Sequence, residues 1–325
     1  LAEIACSRKN YQDALDHLGA SLANEADHLK ARNLKATVLR KMGDAQGALK
    51  VAGKTMSEDL LDFWSRNELQ LSLRQLGKPT QADQVLNTLD RMMRDQVNSY
   101  LELAVDYGNC GLWDEAIEIL QRLISKNLDT ISTYPLLYYY TAYCHAQKGD
   151  LENASKYYEL AAEMPPDYCF PYQLEMIHVL KAAMQHNPKD AMAPYYLGNL
   201  LYDFQPEEAI RLWERSEDIG TDHPTVFRNL GRAYDKTRNN TALSIEYYKK
   251  AITLNPEDSR VIFELEDVYK TAQEPQEKRL ALLQKYHDNV VKSNYLVPLE
   301  REIELYVSLG QYDTALEMLK PVHFT

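Results

Sequence analysis

The segment Ala48–Thr55 (ALKVAGKT) matches a permissive form of the phosphate-binding loop that holds nucleotides. In such a loop, successive backbone N–H groups curl around a phosphate, after a buried strand and before a helix. No apolar strand precedes Ala48. Ala48 and Ala52 fall instead on the apolar register of a predicted helix, where the N–H groups are already bonded within the helix. The segment therefore predicts a helix and no nucleotide site.

Cysteine and histidine do not occur at spacings that would bind a metal or activate a nucleophile. The four cysteines, Cys6, Cys110, Cys144 and Cys169, include no Cys-x-x-Cys pair, and no His-Glu-x-x-His motif is present. Cys144 and His145 are adjacent on a predicted helix and face different directions, so both are expected to pack in the interior. There is no Gly-x-Ser-x-Gly elbow, and the acidic residues are expected on solvated helix faces. We predict no enzyme activity, no cofactor and no metal.

Charge and hydropathy exclude two classes of partner. The chain has 36 Lys and Arg against 48 Asp and Glu, a net charge of −12, and the basic residues are scattered. Nucleic-acid binding is not expected, because it needs a concentrated positive field. No apolar run approaches the ~18 residues of a membrane span, so membrane insertion is not expected. The chain opens at Leu1 and is expected to be a piece of a longer protein; its compartment stays open, with the cytoplasm favoured.

Two residue types recur every 34 positions in the first part of the chain. They are Ala14, Ala48, Ala82 and Ala116, and Gly43, Gly77 and Gly111. Apolar residues at three- and four-residue spacing, such as Leu69, Leu73 and Leu76, flank each glycine, which can supply the left-handed turn that ends a helix. The alanines let two helices cross closely. Because one hairpin cannot bury its apolar stripe alone, the hairpins must stack. The prediction is an all-α protein, an α-solenoid of tandem helix-turn-helix units.

These features resemble the tetratricopeptide repeat. The clearest copy is the stretch 225–256 (TVFRNLGRAYDKTRNNTALSIEYYKKAITLNP), which departs from the family pattern by one inserted residue and by Ser244 in place of an alanine. The residues that agree are Phe227, Leu230, Gly231, Tyr234, Tyr248, Ala251 and Pro256. The resemblance covers nearly the whole chain and implies a right-handed superhelix with a concave groove.

The 34-residue period is interrupted twice. From Ala116 to the equivalent Ala154 the distance is 38 residues, which places four added residues around 127–133. From Ala154 to Ala209 it is 55, and the surplus of 21 is enough for one extra helix and its turn, near 168–187.

The extra helix is expected to start at Pro171, since proline suits the first helical position. Its predicted apolar face consists of Leu174, Ile177, Leu180 and Met184. The chain is thereby divided into an N-terminal arm with a truncated first repeat (1–164), an extra helix with a phase break (165–189) and a C-terminal arm (190–325).

Tyrosine is unusually frequent, with 23 residues against 6 Phe. Most tyrosines are expected to fill the space between helices. Four fall on the first-helix face that lines the concave groove in such solenoids: Tyr139, Tyr143, Tyr195 and Tyr202. Rigid rings at these positions could contact a peptide or stack on sugar.

Some tetratricopeptide domains hold a partner's terminal carboxylate with a Lys, two Asn and a Lys/Arg pair on three successive first helices. The matching positions here are Tyr195, Asn199, Asn229, Arg260 and Glu264. The two asparagines and Arg260 agree with that pattern, whereas Tyr195 and Glu264 do not. Glu264 would repel a carboxylate, so such a clamp is disfavoured.

Arg228 and Arg232 lie one helical turn apart beside Asn229 and are expected to make the groove locally cationic. They are predicted to contact an anionic or polar peptide. The groove candidates are thus Tyr139, Tyr143, Tyr195, Asn199, Tyr202, Arg228, Asn229 and Arg232.

A second resemblance concerns the stretches PDYCFP, NPKDAMAPYYLGNLLYDF and LGQYDTALEMLKPVHF. They are similar to a group of bacterial repeat proteins whose helical region follows an N-terminal β-rich domain of uncharacterised function with sugar-enzyme overtones. Our main hypothesis is a non-catalytic scaffold that binds a protein or peptide in its concave groove. The alternative is a helical accessory region of a carbohydrate-associated protein, packed against a missing N-terminal domain of the same chain or contacting glycan.

Overall fold

The computed structural model describes residues 1–128 and 133–320. The chain divides into two compact units, unit 1 (Leu1–Cys169) and unit 2 (Phe170–Thr325). The described residues are helical, without a strand among them, and consecutive helices pack as antiparallel hairpins within each unit. The predicted all-α fold of tandem hairpins is therefore confirmed. Residues 129–132, within the predicted insertion 127–133, and the closing residues 321–325 lie outside the described range.

The helices of unit 1 are α1 (Ala2–Ser7), α2 (Tyr11–Asn24), α3 (Leu29–Lys41), α4 (Ala45–Glu58), α5 (Phe63–Gln75), α6 (Pro79–Met93), α7 (Val97–Asn109), α8 (Trp113–Ile124), α9 (Pro135–Gln147) and α10 (Leu151–Glu163). The helices of unit 2 are α11 (Met176–His186), α12 (Met192–Leu201), α13 (Pro206–Ile219), α14 (Pro224–Lys236), α15 (Thr241–Leu254), α16 (Ser259–Thr271), α17 (Gln276–Lys285), α18 (His287–Lys292), α19 (Val297–Ser308) and α20 (Tyr312–Leu319).

The 34-residue register is what holds each hairpin together. Ala14, Ala48, Ala82 and Ala116 lie on α2, α4, α6 and α8, and none has any exposed surface. The glycines between the helices adopt the predicted left-handed backbone, with φ of 93° at Gly43, 71° at Gly77 and 70° at Gly111. The segment Ala48–Thr55 lies inside α4, as expected for a helix without a phosphate loop.

Carboxylate and amide side chains begin several of the helices. Asp44 accepts a hydrogen bond from the N–H of Gly47 at the start of α4, and Asp62 accepts one from the N–H of Ser65 at the start of α5. These are N-caps, which satisfy backbone donors that the first turn of a helix leaves free.

A buried ionic cluster links four helices of unit 1. The Arg40 guanidinium on α3 donates to both carboxylate oxygens of Glu68 on α5, over 2.7 and 3.1 Å, and to Glu115 on α8 over 3.0 Å. Tyr107 on α7 donates to Glu68 over 2.6 Å, and Lys41 donates to Glu115 over 2.9 Å. Glu68 and Glu115 are both buried. The expectation that the acidic residues lie on solvated faces is therefore wrong for these two, because cations from neighbouring helices compensate them in the interior.

Helices α1, α3 and α7 also meet. A Cβ added to Gly111, which follows α7, would lie 2.9 Å from the Cα of Ser7 at the end of α1. Lys30 on α3 forms ion pairs with Glu3 on α1, over 2.9 Å, and with Asp106 on α7, over 3.4 Å. In unit 1, first helices of different hairpins therefore contact one another directly through their side chains.

The extra helix near 168–187 is confirmed as α11, but it starts later than predicted. Pro171 and Leu174 precede the helix, and Leu174 is 73% exposed. Residues 171–175 are not helical, although proline suits a first helical position, and the chain enters the helix only at Met176. Leu180 and Met184 are buried as predicted. The sequence analysis did not anticipate the short helix α18.

None of the described helices is both long enough and apolar enough to cross a bilayer.

The tight crossing of α14 and α15 makes Gly231 a sensitive position. A Cβ there would lie 2.9 Å from two ring carbons of Tyr248. We expect Gly231→Ala to lower the free energy of unfolding by about 1–3 kcal/mol, because overpacking forces the ring and backbone apart. The matched control is Gly53→Ala, where an added Cβ meets nothing within 4 Å, and which should raise stability by up to about 1 kcal/mol. Urea denaturation of both variants measures this, and equal effects would contradict the close crossing.

The ionic cluster predicts a pH-dependent contribution to stability. Burial acts to raise the pKa of Glu115, but Arg40 and Lys41 outweigh it and leave that pKa lowered. A carboxylate with a lowered folded-state pKa stabilises the protein above its unfolded-state pKa, and that contribution is lost as the pH falls through the folded-state value. We expect Glu115→Gln to cost about 2 kcal/mol at neutral pH.

Thermal denaturation across the pH range should show this cost beginning to shrink below about pH 4, the range of an unfolded-state glutamate. The cost should disappear once the pH has fallen through the lowered folded-state pKa of Glu115. Glu118→Gln is the control, since Glu118 is exposed on the same helix. A cost of Glu115→Gln that does not change with pH would show that packing, and not charge, is lost.

Candidate functional site

The first helices of unit 2, α12, α14 and α16, carry two adjoining cavities that we name the unit 2 groove. The first has a volume of about 330 Å³ and is lined by Phe170, Tyr195, Asn199, Tyr202, Asp203, Trp213, Thr225, Arg228, Asn229 and Arg232. The second has a volume of about 230 Å³ and is lined by Arg232, Asp235, Lys236, Tyr248, Arg260, Phe263, Glu264, Asp267, Val268 and Tyr295. Arg232 on α14 borders both cavities, which makes it the central residue of the groove.

The structure brings six of the eight sequence-predicted residues together in the first cavity. They are Tyr195, Asn199, Tyr202, Arg228, Asn229 and Arg232. Helical spacing explains this placement, since side chains three and four residues apart share one face of a helix. Tyr195 is only 3% exposed, so it forms the floor of the cavity and not its wall.

The other two predicted residues, Tyr139 and Tyr143, lie in unit 1 on α9. Tyr139 has no exposed surface, so it cannot contact a ligand in this conformation and we remove it from the site. Tyr143 is half-buried, with its ring edge-on to Trp113 at 5.9 Å and stacked on Tyr140 at 6.2 Å. Burial raises the pKa of Tyr143. Both side chains serve the packing of unit 1.

Two asparagines form the polar centre of the first cavity. Asn229 Nδ2 donates to Asn199 Oδ1 over 2.9 Å, and Trp213 Nε1 donates to the same oxygen over 3.2 Å. These bonds fix both amide planes. Asn199 Nδ2 and Asn229 Oδ1 have no partner in the part of the chain that the structure describes. The two bonded side chains therefore leave one hydrogen-bond donor and one acceptor to the first cavity.

The charges of the groove are arranged differently from the sequence-based expectation. Arg228 is bound by Glu264, with Nε–Oε2 and Nη2–Oε1 distances of 2.9 and 2.5 Å, and this contact raises the pKa of Arg228. The expectation that Arg228 and Arg232 both supply positive charge is thus wrong for Arg228. The carboxylate of Glu264, which was expected to repel a ligand carboxylate, is neutralised by the same ion pair with Arg228.

Arg232 is exposed and pairs with no carboxylate in the described ranges 1–128 and 133–320. The other cations of the second cavity are compensated, since Arg260 pairs with Asp258 at 3.2 Å and Lys236 with Asp235 at 2.7 Å. Arg232 is therefore the cation of the groove that is available to a ligand.

Sequence reasoning missed the aromatic residues of the second cavity. Phe263 and Tyr295 meet edge to face there, with ring centroids 6.3 Å apart. The 34-residue period did not mark Phe263, because the inserted residue of the repeat lengthens the offset to 35 and Phe263 takes the position of Arg228 in the next hairpin. Tyr295 comes from the connection between α18 and α19, which no periodic signal marks.

No group of three or more His, Cys, Asp or Glu side chains that could hold a metal occurs among residues 1–128 and 133–320. Cys144 is buried, and burial raises its pKa, so its thiol stays protonated. His145 hydrogen-bonds to Asp150 over 2.9 Å and stacks on Tyr157. Both residues therefore serve the packing of α9, as the sequence predicted.

Comparison with known proteins places two segments in one family. The model of the tetratricopeptide repeat matches residues 101–168, in unit 1, and residues 228–258, in unit 2. Among proteins of known function, the chain is 26% identical over 110 residues to the protein adenylyltransferase Fic of Drosophila mojavensis, covering 34% of this chain and 22% of that protein. For Fic of Drosophila willistoni the identity is 28% over 102 residues, covering 31% and 20%. The chain thus spans about a fifth of the length of these relatives, and the activity in their name belongs to them.

Solved structures with similar helical arrays include MamA from Desulfovibrio magneticus, at 18% identity and a TM-score of 0.35 over 61% of this chain and 97% of that one. A second is YrrB, described as a tetratricopeptide repeat protein with an unusual peptide-binding site, at 15% identity and a TM-score of 0.28 over 66% and 96%.

The family match in each unit agrees with the register of buried alanines, the left-handed glycine turns and the tandem hairpins. Both units of this chain therefore contain tetratricopeptide repeats.

Proposed function

We propose that this chain is a non-catalytic scaffold that binds an extended peptide segment of a protein partner in the unit 2 groove. The tetratricopeptide fold typically serves protein interaction and not catalysis. The groove has what such a ligand needs, namely an open polar centre between aromatic walls.

The observation that carries the proposal is the asparagine pair. A residue of an extended segment presents its own N–H and C=O on one side of the chain, and the free Asn199 Nδ2 and Asn229 Oδ1 supply a donor and an acceptor to match them. Such contacts bind main chain regardless of side-chain type. They therefore suit an extended segment, whose backbone groups are not already paired within a helix or sheet.

Selectivity among peptides would come from the residues around that pair. Tyr202 and Phe263 offer ring surface to apolar side chains of the ligand, one in each cavity. Arg232 lies between them and favours an acidic side chain, because its guanidinium has no carboxylate partner in the described structure. We therefore expect a ligand in which an acidic residue is flanked by apolar ones.

Selection from a phage-displayed library of random linear peptides tests the proposal. Peptides that bind the whole chain should be enriched in acidic residues next to apolar ones. Arg232→Ala and Asn229→Ala should each weaken a selected peptide about tenfold, which corresponds to about 1.4 kcal/mol. Isothermal titration calorimetry measures the change.

The matched control is Arg211→Ala, since Arg211 is exposed on α13 and pairs only with Glu208 in its own helix. It should leave the affinity unchanged. Selected peptides whose affinity is unaffected by both groove substitutions would show that they bind elsewhere and would refute the assignment of the groove.

A further inference from the structure

Unit 1 carries a separate cavity of about 410 Å³ between α3, α5 and α7, which we name the unit 1 cavity. Its lining is strongly acidic and includes the carboxylates of Asp59, Asp62, Glu102 and Asp106 against a single cation, Lys30. The unit 2 groove differs, because its lining includes as many cations as carboxylates.

The one cation of the cavity does not balance these carboxylates. Lys30 is committed to Asp106 and to Glu3. Asp59 and Asp62 form no ion pair with any cation among the described residues. Each accepts a backbone N–H instead, from Leu61 and Ser65 respectively, over 2.8 and 2.5 Å. The cavity thus holds excess negative charge.

A buried amide points to a missing hydrogen-bond donor. Asn33 lines the cavity and is only 3% exposed. Its Nδ2 donates to Asp62 Oδ2 over 2.8 Å, which fixes the amide, while its Oδ1 has no hydrogen-bond partner in the described structure. A buried acceptor without a partner costs free energy. A donor entering the cavity would remove that cost, and one carrying a positive charge would also neutralise Asp62.

Apart from Ser99, the remaining lining is apolar or aromatic. Leu29, Leu61, Phe63 and Leu103 border the same cavity. Leu61 is 72% exposed and its neighbour Leu60 is 66% exposed, so an apolar rim lies beside the acidic interior. Lysine and arginine combine these properties, because their hydrocarbon stems pack on apolar surface while the charged end reaches polar partners.

We propose that the unit 1 cavity binds a lysine or arginine side chain from a basic segment of a protein partner. Its ammonium or guanidinium group donates to Asn33 Oδ1 and lies against the carboxylate of Asp62, and its methylene stem packs on Leu61 and Phe63. This site does not depend on the peptide-binding role of unit 2.

The electrostatics of Asp106 agree with a site whose carboxylates outnumber its cations. Burial raises the pKa of Asp106, Lys30 opposes this, and the nearby charges of Glu3 and Asp62 add to the increase. A cation bound in the cavity favours the ionised carboxylate. It should therefore lower the pKa of Asp106.

Two synthetic pentapeptides test the proposal, one with a central lysine between alanines and one with norleucine in its place, both blocked at the termini. Titration into the whole isotope-labelled chain is followed by NMR. The lysine peptide should shift the Asn33 side-chain amide and the backbone amides near Asp62 in a saturable way. It should bind about tenfold more tightly than the norleucine peptide.

The test variant is Asp62→Asn, which removes the charge but keeps an N-cap acceptor for α5. It should bring the affinity for the lysine peptide down to that for norleucine. Asp44→Asn makes the same change at the N-cap of α4, outside the cavity, and should have no effect. If Asp62→Asn does not fold, Glu102→Gln on the exposed face of α7 replaces it and should weaken lysine binding severalfold.

Equal binding of the two peptides would overturn the proposal and would mean that water alone satisfies Asn33. Unchanged lysine affinity in both cavity variants would overturn it as well. Arg232→Ala should not alter the result, so failure here and failure of the proposed function of unit 2 are distinguishable.

Discussion

The close approach of two helices at a methyl side chain is the constraint on which the whole structure depends. Ala14, Ala48, Ala82 and Ala116 are completely buried where the two helices of each hairpin cross. A larger side chain would separate the pair, and the apolar stripes that stack one hairpin on the next would lose their register. Where a glycine takes this role on a first helix, as at Gly231, the facing helix supplies a large ring, here Tyr248, that fills the space. These buried positions set the distance between the helices. Residues on the groove-facing surface can therefore vary without changing that distance.

The same architecture produces two kinds of first-helix face. In unit 1, three first helices supply Arg40, Glu68 and Tyr107. Arg40 and Tyr107 both donate hydrogen bonds to Glu68, so these polar groups bind one another. In unit 2 the corresponding helices bring together Asn199 and Asn229. Their single hydrogen bond leaves Asn199 Nδ2 as a donor and Asn229 Oδ1 as an acceptor without a partner in the described structure. Removing charges from water is costly even when they are paired. The cluster of unit 1 is therefore better understood as fixing how α3, α5 and α7 meet than as a large source of stability.

Much of the fold could be predicted from the sequence, because periodicity depends on one residue type at one spacing. The alanine register, the glycine turns and the extra helix all follow from local signals. Tyr139 could not be placed, since α9 (PLLYYYTAYCHAQ) is apolar or aromatic almost all round and its pattern does not mark one face. The start of α11 was misjudged because Pro171 suits both the first position of a helix and the extended segment before it.

The candidate site was harder to predict for a different reason. Helical spacing placed six residues on one groove, but it gave no information on their partners. The pairing of Arg228 with Glu264 joins residues 36 positions apart on two helices, and it converts an expected cationic pair into a neutral one. The same holds for Glu68, whose burial depends on Arg40 from another hairpin. Net charge and position can be read from a sequence, whereas the compensation of one charge by another requires the packed structure.

Charge compensation in turn determines how each site can select its ligand. The chain carries a net charge of −12, so its overall field disfavours the approach of an acidic peptide and favours that of a basic segment. Arg232 therefore acts only over short distances, within the Debye length of about 8 Å at physiological ionic strength. Binding in the unit 2 groove must therefore depend on short-range contacts that form once the peptide has reached the groove. These contacts involve the two asparagines and the aromatic walls. The unit 1 cavity has the opposite balance, because long-range attraction and the local carboxylates both act in the same direction.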